Sequence, residues 1–500
     1  MPNLIPGFNN VPQNAIPESD RGLEYGELKP DANLPTGNRP IVILLPGIMG
    51  SNLIRNEKEI WLHYGRILTG GLTKLDYNSG NVIEADSVVK TSYYKLYKWL
   101  SNKYDVIVYP FDWRQPLNES ASEFNDKIQD VLNVAIKRKQ PIKIIGHSMG
   151  GVLVRDFMIN HKQTWDKLNE TEGFRLVYLG SPLGGSHRIL AVLFGEDAII
   201  KKLSKLDLRH TKKRLLKMFS KFPGILSLLP LTTEDREDYA NLEVWKEMRD
   251  YFGRKDWPLP TSADLDFFGR YRDNINEESK NIDYSNMVYI AGKDKMTVVN
   301  YYLDDFLPEG KDRLRFLYTG EGDQSVSWKL GIPQKLIDSN SVYYTRFTHG
   351  ALANAPELFD GIEEILSTGK TKLLSKNKPI SRDGSKVFSA EPEVDFDISP
   401  TGLENTIFGM AASSSFESSK IPLNVTIANG DLRYATYPVL AGHFLNDGIL
   451  YAERAIDWYL KKSLTHKHDL GLYPGAIGTN AIFETNETDG NDFALSLIHI

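Results

Sequence analysis

Five short apolar runs separated by helical patterns constrain the fold of this sequence more than any other feature. The runs are IVILLPG at 41–47, YDVIVYP at 104–110, PIKIIGH at 141–147, FRLVYLGSP at 174–182 and NMVYIAG at 286–292. Their continuous apolar character is typical of strands buried on both faces. Helical patterns such as 123–139 and 151–160 lie between them, so the sequence predicts an α/β fold with a mostly parallel sheet and helices on both faces. RLRFLYTG at 313–320 predicts a sixth strand.

The remaining segments indicate additional domains, because 500 residues exceed what one hydrophobic core usually serves. Residues 1–39 carry six prolines and no sustained period, which predicts an extended N-terminal arm. The α/β domain is expected over 40–368, with an inserted cap at about 188–283, where the alternation of strands and helices stops. A polar, charged stretch at 369–400 predicts a linker, and 401–500 predicts a smaller C-terminal α+β domain.

Composition argues against several classes of protein. The chain has no cysteine, which excludes disulfides, thiolate metal sites and cysteine nucleophiles and favours a reducing compartment. A net charge of −6 argues against a nucleic-acid binder. The N-terminus lacks the basic and apolar regions of a secretory signal, and no uncharged apolar stretch approaches the ~18 residues that span a bilayer. We therefore expect a cytoplasmic protein, peripheral to a membrane at most, with no cofactor and no metal.

The sharpest chemical signal is the G-x-S-x-G pattern GHSMG, which runs from Gly146 to Gly150. It directly follows the strand run IKII and precedes the helical pattern GVLVRDFMI. In that context the pattern places its serine on a sharp strand-to-helix turn, which the two glycines keep free of side chains. Ser148 is therefore the predicted nucleophile. A serine hydroxyl is weak by itself, so it needs a base and an acid to activate it.

A histidine and a carboxylate on later loops complete the predicted triad. After a serine in this motif, the acid comes next along the chain and the histidine last. His349, in FTHGALAN after the last apolar runs, is the predicted base. Asp323, in the glycine-rich loop GEGDQSVSW, is the favoured acid, and Asp294 in AGKDKMTV remains the alternative.

Backbone amides are expected to stabilise the oxyanion of a tetrahedral intermediate. One is predicted at Met149, directly after the nucleophile. The other is predicted at Ile48, because Gly47 in the loop LLPGIMGS permits a tight turn that presents the next amide to the pocket, and the amide of Met49 is the next candidate.

An ordered set of motifs resembles the lecithin:cholesterol acyltransferase-like branch of the α/β-hydrolases, which includes phospholipases and transacylases. The motifs are LLPGIMGSNL, YPFDWRQ, GHSMGG, GSPLGGS, GEGDQSV and THG. The resemblance covers roughly residues 40–366 and implies an α/β-hydrolase fold. It also implies that Ser148 is the nucleophile, Asp323 the acid and His349 the base, with the same two amides as the oxyanion hole.

The resemblance further implies elements near the substrate. Phe111, within FDWR, stands where family members usually carry tyrosine. Asp112 and Arg114 in the same motif are expected to support the pocket. A lid is expected near residues 52–75, in which Trp61 faces either lipid or the core.

The last hundred residues resemble a segment of bacterial multidomain proteins, some of which carry CHAT-type protease domains. The resemblance is carried by GDLRYATYPVLAGHF, DGILYAERAID and LGLYPGAIGT. It implies a signalling or assembly module. Residues 401–500 are therefore a candidate surface for a protein partner or for self-association.

A basic segment at 201–221, followed by an apolar stretch to residue 231, indicates contact with an anionic membrane surface. It holds nine lysines and arginines against one acidic residue, Asp207, and its apolar residues fall near helical spacing. Phe219 and Phe222 belong to this apolar set and are candidate lipid-binding residues. A basic amphipathic helix suits an anionic bilayer. The alternative is a solvated face whose apolar stripe packs on the enzyme.

Two functions remain open at this point. The favoured one is a serine-dependent lipid esterase (a phospholipase, a lipase or a lipid O-acyltransferase) that works through an acyl-enzyme intermediate. The alternative is a catalytically silent or regulated hydrolase-fold scaffold in a bacterial signalling assembly, which works through residues 401–500.

Overall fold

The computed structural model describes residues 29, 37–77, 82–305, 307, 312–379, 387–389, 400–409, 439–443, 449–470, 472–473, 480–484 and 494–499. The chain divides into two compact units, residues 1–414 and 415–500. The predicted N-terminal arm lies almost entirely outside the described residues. Within the described ranges, no helix is both long and apolar enough to cross a bilayer.

The first unit is built on a parallel sheet. The described strands of this unit, which belong to the parallel sheet and to two smaller sheets, are β1 (Ile41–Leu45), β2 (Ser51–Arg55), β3 (Lys58–Trp61), β4 (Glu84–Val88), β5 (Asp105–Val108), β6 (Ile142–His147), β7 (Arg175–Leu179), β8 (Met287–Ala291), β9 (Thr297–Leu303), β10 (Leu314–Thr319), β11 (Val342–Tyr344) and β12 (Phe388–Ser389). In the described residues the main sheet has the order β11-β8-β7-β6-β1-β5, and every neighbouring pair is parallel. The five apolar runs are five of these strands, so the predicted fold class is confirmed.

Helices flank this sheet. They are α1 (Tyr64–Leu68), α2 (Lys90–Leu100), α3 (Leu117–Arg138), α4 (Met149–Asn160), α5 (Lys162–Asn169), α6 (Arg188–Leu193), α7 (Ala198–Leu206), α8 (Lys212–Phe219), α9 (Pro223–Leu226), α10 (Leu242–Phe252), α11 (Ser262–Glu278), α12 (Trp328–Gly331), α13 (Gln334–Asp338), α14 (Phe359–Thr368) and α15 (Pro400–Phe408). Short 3₁₀ turns occupy Gly71–Leu75, Asp235–Glu237, Ser279–Asn281, Gly350–Ala353 and Pro356–Leu358. The region expected to be a cap contains α6–α11.

Successive residues of the central strands point into two separate cores, because side chains alternate across a strand. Ile43 of β1 and Ile144 of β6 belong to the core that includes α3 and α4. Their neighbours Leu44 and Ile145 belong to the core that includes α2 and α14. The sheet is therefore buried on both faces, which explains why its strands are continuous apolar runs rather than alternating ones.

The sixth predicted strand forms, but in another sheet. β10 pairs antiparallel with β9 and with β12, outside the parallel sheet. The sixth strand of the parallel sheet is β11, whose three residues are too few to give a sequence pattern. β12 lies inside the segment predicted to be a linker. A further antiparallel sheet, β3-β2-β4, contains residues 52–55 and 58–61 of the segment expected to be a lid, and α1 and the 3₁₀ turn Gly71–Leu75 lie in the rest of that segment.

The second unit combines helices with a small sheet in its described residues. Its helices are α16 (Tyr451–Tyr459) and α17 (Ser463–Asp469), and its strands are β13 (Val439–His443), β14 (Asn480–Glu484) and β15 (Ala494–His499). β15 is parallel to β13 and antiparallel to β14. The carboxylate of Asp457 accepts a hydrogen bond from the Leu464 amide at 2.8 Å and so fixes the turn between the helices.

Candidate active site

Ser148 lies on the turn between β6 and α4, with φ of 51° and ψ of −124°. A serine rarely adopts this backbone conformation, and surrounding contacts must hold it there. A Cβ on Gly146 would lie 2.6 Å from the Gly151 Cα, and one on Gly150 would lie 2.5 Å from the Pro46 carbonyl oxygen. Neither position has room for a side chain. The two glycines of the motif therefore permit the turn that presents the serine.

The structure brings Ser148, His349 and Asp323 into a hydrogen-bonded series. The serine Oγ lies 2.8 Å from His349 Nε2, and His349 Nδ1 lies 2.8 Å from Asp323 Oδ2. Because a carboxylate accepts hydrogen bonds, Nδ1 carries the proton and Nε2 accepts from the serine hydroxyl. The three residues are 5%, 6% and 2% exposed, respectively. This is the protonation pattern that a serine nucleophile needs.

Backbone amides orient the Asp323 carboxylate. Its Oδ1 accepts hydrogen bonds from the amides of Ser325 at 3.0 Å and Val326 at 2.7 Å. The Asp323 carbonyl oxygen accepts a further bond from the His349 amide at 2.9 Å. These contacts fix both the carboxylate and the histidine loop, so the Oδ2 atom is left to face the imidazole.

The alternative acid, Asp294, has a different local role. Its Oδ1 accepts a hydrogen bond from the Met296 amide at 3.0 Å, and its own amide donates to the Gly322 carbonyl at 2.6 Å. These contacts hold the β8–β9 loop against the loop that carries Asp323. Asp294 therefore supports the neighbouring loop, and Asp323 is the carboxylate that contacts the imidazole.

A buried chain of hydrogen bonds joins the loop after β1 to His349. The Gly47 amide donates to the Tyr93 hydroxyl at 2.7 Å, and that hydroxyl donates to His147 Nδ1 at 2.7 Å. His147 Nε2 then donates to the His349 carbonyl at 3.0 Å. The groups at the two ends of the chain fix the direction of its hydrogen bonds, because the Gly47 amide can only donate and the His349 carbonyl can only accept. Burial lowers the pKa of His147 to about 3, which keeps its imidazole neutral.

The loop after β1 turns directly above the serine. The Gly50 amide donates to the Gly47 carbonyl at 3.0 Å, and Met49 has φ of 61°. A Cβ on Gly47 would lie 2.8 Å from the Ser148 Cβ, so a glycine is needed for this close approach. Ile48 lines the pocket. Met149 is the first residue of α4, where an amide has no partner within the helix.

An apolar pocket opens above Ser148. Helices and loops of the first unit contribute most of its apolar lining: Ile189, Val192, Ile199, Ile225, Leu228 and Ile407. The pocket bottom is formed by Gly47 and Ile48, together with Ser148 and His349. An apolar group bound in this pocket therefore lies next to the serine.

Arg188 brings a positive charge into the pocket lining. Its Nε donates to Asp197 Oδ2 at 2.7 Å, and its Nη1 donates to the Ser325 hydroxyl. The Ser186 hydroxyl donates to the Ser325 carbonyl. Both contacts hold the loop whose amides orient Asp323. Sequence reasoning missed Arg188, although it lies only two residues after the motif GSPLGGS.

Trp61, Phe219 and Phe222 form an aromatic core rather than part of the pocket lining. Trp61 donates through Nε1 to the Met49 carbonyl at 2.8 Å. The ring of Trp113 lies 5.5 Å from Trp61 and 6.0 Å from Phe222, which contacts Phe219 at 5.5 Å. All are fully buried. Here the structure differs from the expected lipid contact of the two phenylalanines, because their rings are buried against each other and against Trp113.

Asp112 and Arg114 form a buried ion pair outside the pocket lining. Arg114 Nε donates to Asp112 Oδ1 at 2.9 Å and Nη2 donates to Oδ2 at 2.5 Å. Arg114 Nη1 donates to the Leu75 carbonyl at 2.7 Å, and the Arg114 carbonyl accepts from the Gly224 amide at 3.0 Å. The pair thus joins the loop after β5 to the end of the expected lid and to the cap.

The basic segment 201–221 forms most of α7 and all of α8, not one continuous helix. The apolar side chains of its two helices are turned inward, and Leu215 and Leu216 are fully buried, whereas Leu208 between the helices is 78% exposed. The basic residues that remain on the surface are Lys205, Arg209, Lys213, Arg214 and Lys217. This is the arrangement of the alternative interpretation, in which an apolar stripe packs on the enzyme.

The parallel strand order and the serine on the β6–α4 turn define the α/β-hydrolase fold. A family model described as lecithin:cholesterol acyltransferase matches residues 52–326, more than half of the chain. The chain therefore belongs to the lecithin:cholesterol acyltransferase family.

Individual relatives are distant. The chain is 27% identical over 237 residues to the phosphatidylcholine-sterol acyltransferase of Gallus gallus, covering 44% of this chain and 50% of that protein. The Mus musculus protein of the same name is 27% identical over 235 residues, covering 37% and 53%. The chain thus spans about half the length of these relatives. A solved Tle4–Tli4 complex is similar with a TM-score of 0.47 and 13% identity, covering 67% of this chain and 100% of the other.

Proposed function

We propose that this protein is a serine-dependent lipid esterase: a phospholipase or lipase that transfers an acyl group to water, or an O-acyltransferase that transfers it to a lipid alcohol. The observation that carries the proposal is the series Ser148–His349–Asp323 at the bottom of an apolar pocket. The names of the sterol acyltransferases to which the chain is similar indicate the same class of reaction.

In the proposed first step, Ser148 Oγ attacks the ester carbonyl carbon as its proton moves to His349 Nε2. Asp323 holds the imidazole and stabilises the charge that forms on it. The amides of Ile48 and Met149 donate to the oxyanion of the tetrahedral intermediate. When the ester C–O bond breaks, the leaving alkoxide takes the proton from His349, and the acyl group remains on Ser148.

In the second step, water or an alcohol attacks the acyl-enzyme. His349 removes the proton from the attacking oxygen and returns it to Ser148 Oγ as the acyl–serine bond breaks. A free acid is released when the acceptor is water, and a new ester when it is an alcohol. Profiling the products formed from a mixed lipid extract would distinguish the two acceptors.

The pocket lining favours a lipid substrate. A long acyl chain has no polar groups, and the side chains contributed by α6, α7 and α9 match it in chemistry. Burial of an acyl chain contributes roughly 0.8 kcal/mol for each methylene removed from water. Binding of the chain would also place the ester carbonyl, its only polar end, against Ser148.

The decisive experiment is Ser148→Ala. Loss of the nucleophile is expected to lower kcat for ester hydrolysis by about 10⁶-fold, as in other serine triads. It should also abolish labelling by a fluorophosphonate, which needs an activated serine. Ser122→Ala, at an exposed serine on α3, is the control and should keep both properties. A Ser148→Ala protein with undiminished hydrolysis would disprove the assignment, and a wild-type protein that resists labelling would favour the scaffold function.

A peripheral membrane contact through the exposed basic residues of α7 and α8 is proposed as well. Because the apolar stripe of α8 is buried, the attraction would be electrostatic, at about 1 kcal/mol for each basic residue near an anionic surface. Arg214→Glu with Lys217→Glu should weaken binding to phosphatidylserine vesicles by more than about tenfold. Unchanged binding would leave these residues as a solvated face. The expected cytoplasmic location stays a prediction.

A further inference from the structure

Helix α15 packs in the core of the hydrolase unit, although the sequence assigned its residues to the linker and C-terminal domain. Leu403 and Ile407, four residues apart on one face, are 1% and 4% exposed. Both belong to the same core as Ile43 of β1 and Ile144 of β6. This helix follows the family-matched region 52–326 in the chain. A segment beyond the recognisable hydrolase sequence therefore completes the hydrolase structure.

Polar contacts hold both ends of the segment 400–409. Lys202 of α7 is 2% exposed and donates through Nζ to the Gly402 carbonyl at 2.9 Å. At the other end the Gly409 carbonyl accepts from the Gly350 amide at 3.2 Å, next to the histidine of the candidate triad. These two bonds place the helix between α7 and the loop that carries His349.

Gly409 permits an unusually close approach to this loop. Its φ is 62°, a conformation that favours glycine. A Cβ at this position would lie 3.3 Å from the His349 Cβ and 3.0 Å from Gln324 Oε1. The chain thus passes directly against the histidine as it leaves α15. The hydrogen bond from Lys202 to Gly402 and the close approach of Gly409 to His349 both indicate that segment 400–409 has a defined position beside the candidate triad.

Among the described side chains of α15, Ile407 lines the pocket. Ile199 of α7 and Val192 of α6 also line the pocket. Leu403, one turn earlier on the same face, is buried in the core but is absent from the pocket lining. Leu403 and Ile407 are thus both buried, but of these two residues only Ile407 lines the pocket above Ser148.

We propose that α15 brings Ile407 into the substrate site and that Ile407 determines which acyl chains the pocket accepts. The inference rests on the proposed esterase function and names its specificity-determining residue. One methylene more or less in an apolar pocket changes kcat/KM by ~10–200-fold. A smaller side chain at position 407 therefore opens room for longer acyl chains, and a larger one excludes them.

The test measures kcat/KM for a series of p-nitrophenyl esters from butyrate to palmitate. Ile407→Ala should raise the ratio of long-chain to short-chain kcat/KM by about tenfold, and Ile407→Trp should lower it by a similar factor. Leu403→Ala is the matched control, because it removes comparable volume from the same helix away from the pocket. It should leave the ratio unchanged. Ile407→Val, which removes a single methyl, serves if the alanine variant does not fold.

The outcomes separate this inference from the proposed function. If Ile407→Val and Ile407→Trp hydrolyse esters with the wild-type chain-length ratio, the inference is wrong and the esterase stands. If Leu403→Ala changes the ratio as much as Ile407→Ala, the effect comes from docking of the helix and the specificity role is overturned. If the wild-type protein hydrolyses none of the esters and a fluorophosphonate does not label Ser148, both the proposed esterase function and this inference are wrong.

Discussion

The bottom of the pocket and its walls are built by different physical rules. At the bottom, directed hydrogen bonds fix each group: Gly47 to Tyr93, Tyr93 to His147, and His349 to both Ser148 and Asp323. The walls are apolar side chains held by packing, contributed by helices far apart in the sequence. At the bottom, the displacement of one atom breaks a hydrogen bond, whereas in the walls any apolar side chain of suitable volume can fill the same space.

The difference has a functional consequence. Proton transfer and charge stabilisation depend on distances of a few tenths of an ångström, so in the proposed esterase the bottom of the pocket would set the rate. The walls would exclude water and limit the size of the group that enters, so they would set which substrate reacts. Substitutions at the bottom are therefore expected to lower turnover for all esters alike, and substitutions in the walls to change the preference among esters.

Among the groups that support Ser148, the largest expected effect comes from Asp323→Asn. An amide at this position favours the wrong imidazole tautomer, and kcat for ester hydrolysis should fall by ~10⁴-fold with every chain length. Asp294→Asn is the control and should change kcat only a few-fold, because Asp294 bonds to the Met296 amide and not to the imidazole. If Asp294→Asn causes the greater loss, the acid has been assigned to the wrong loop and the described bottom of the pocket is not the reactive arrangement.

A smaller effect is expected on stability, through His147. Burial lowers its pKa from 6.5 to about 3, so the unfolded chain binds the proton first as the pH falls. The stability that neutral His147 contributes is fully present above about pH 6.5 and is lost as the pH falls towards 3. Between about pH 6.5 and 5 the free energy of unfolding should fall by roughly 2 kcal/mol from this group.

Urea unfolding at several pH values measures this loss. The wild-type protein should lose stability more steeply with acid than His147→Gln, which has no group to protonate. The difference between the two slopes isolates His147 from the carboxylates that titrate in both proteins. Parallel slopes would mean that His147 takes up its proton as readily in the folded protein as in the unfolded chain, and that the hydrogen-bond chain through Tyr93 runs otherwise than described.

The bottom of the pocket could largely be predicted from the sequence, and the reason is chemical. A buried parallel strand requires a continuous apolar run, so β1 and β6 are visible in the sequence. A serine on a sharp turn requires glycines around it, so Ser148 is visible as well. The order of acid and histidine after the serine predicts His349, and the glycine-rich loop favours Asp323 over Asp294. The structure brings the side chains of Ser148, Asp323 and His349 together. Their catalytic roles stay predictions.

The walls and supports could not be predicted in the same way, because tertiary packing alone distinguishes their residues. Tyr93 has the neighbours Tyr94 and Tyr97 on α2, and only burial shows which tyrosine reaches His147. The position of α15 depends on contacts with α7 that no local pattern encodes. The inverse error occurred at Phe219, where an apolar spacing near basic residues indicated lipid contact and the ring lies in the core.

The smallest expected effect on catalysis tests whether Phe222 belongs to the core or to the substrate site. Phe222 packs between Trp113 and Phe219, and three residues later Ile225 lines the pocket. Phe222→Leu should lower the free energy of unfolding by about 1–3 kcal/mol and leave the chain-length preference of the esterase unchanged. Ile225→Ala should shift that preference. Urea unfolding and the p-nitrophenyl ester series together separate the two roles. A shifted chain-length preference in Phe222→Leu would mean that this ring contacts the substrate, as the sequence pattern predicts.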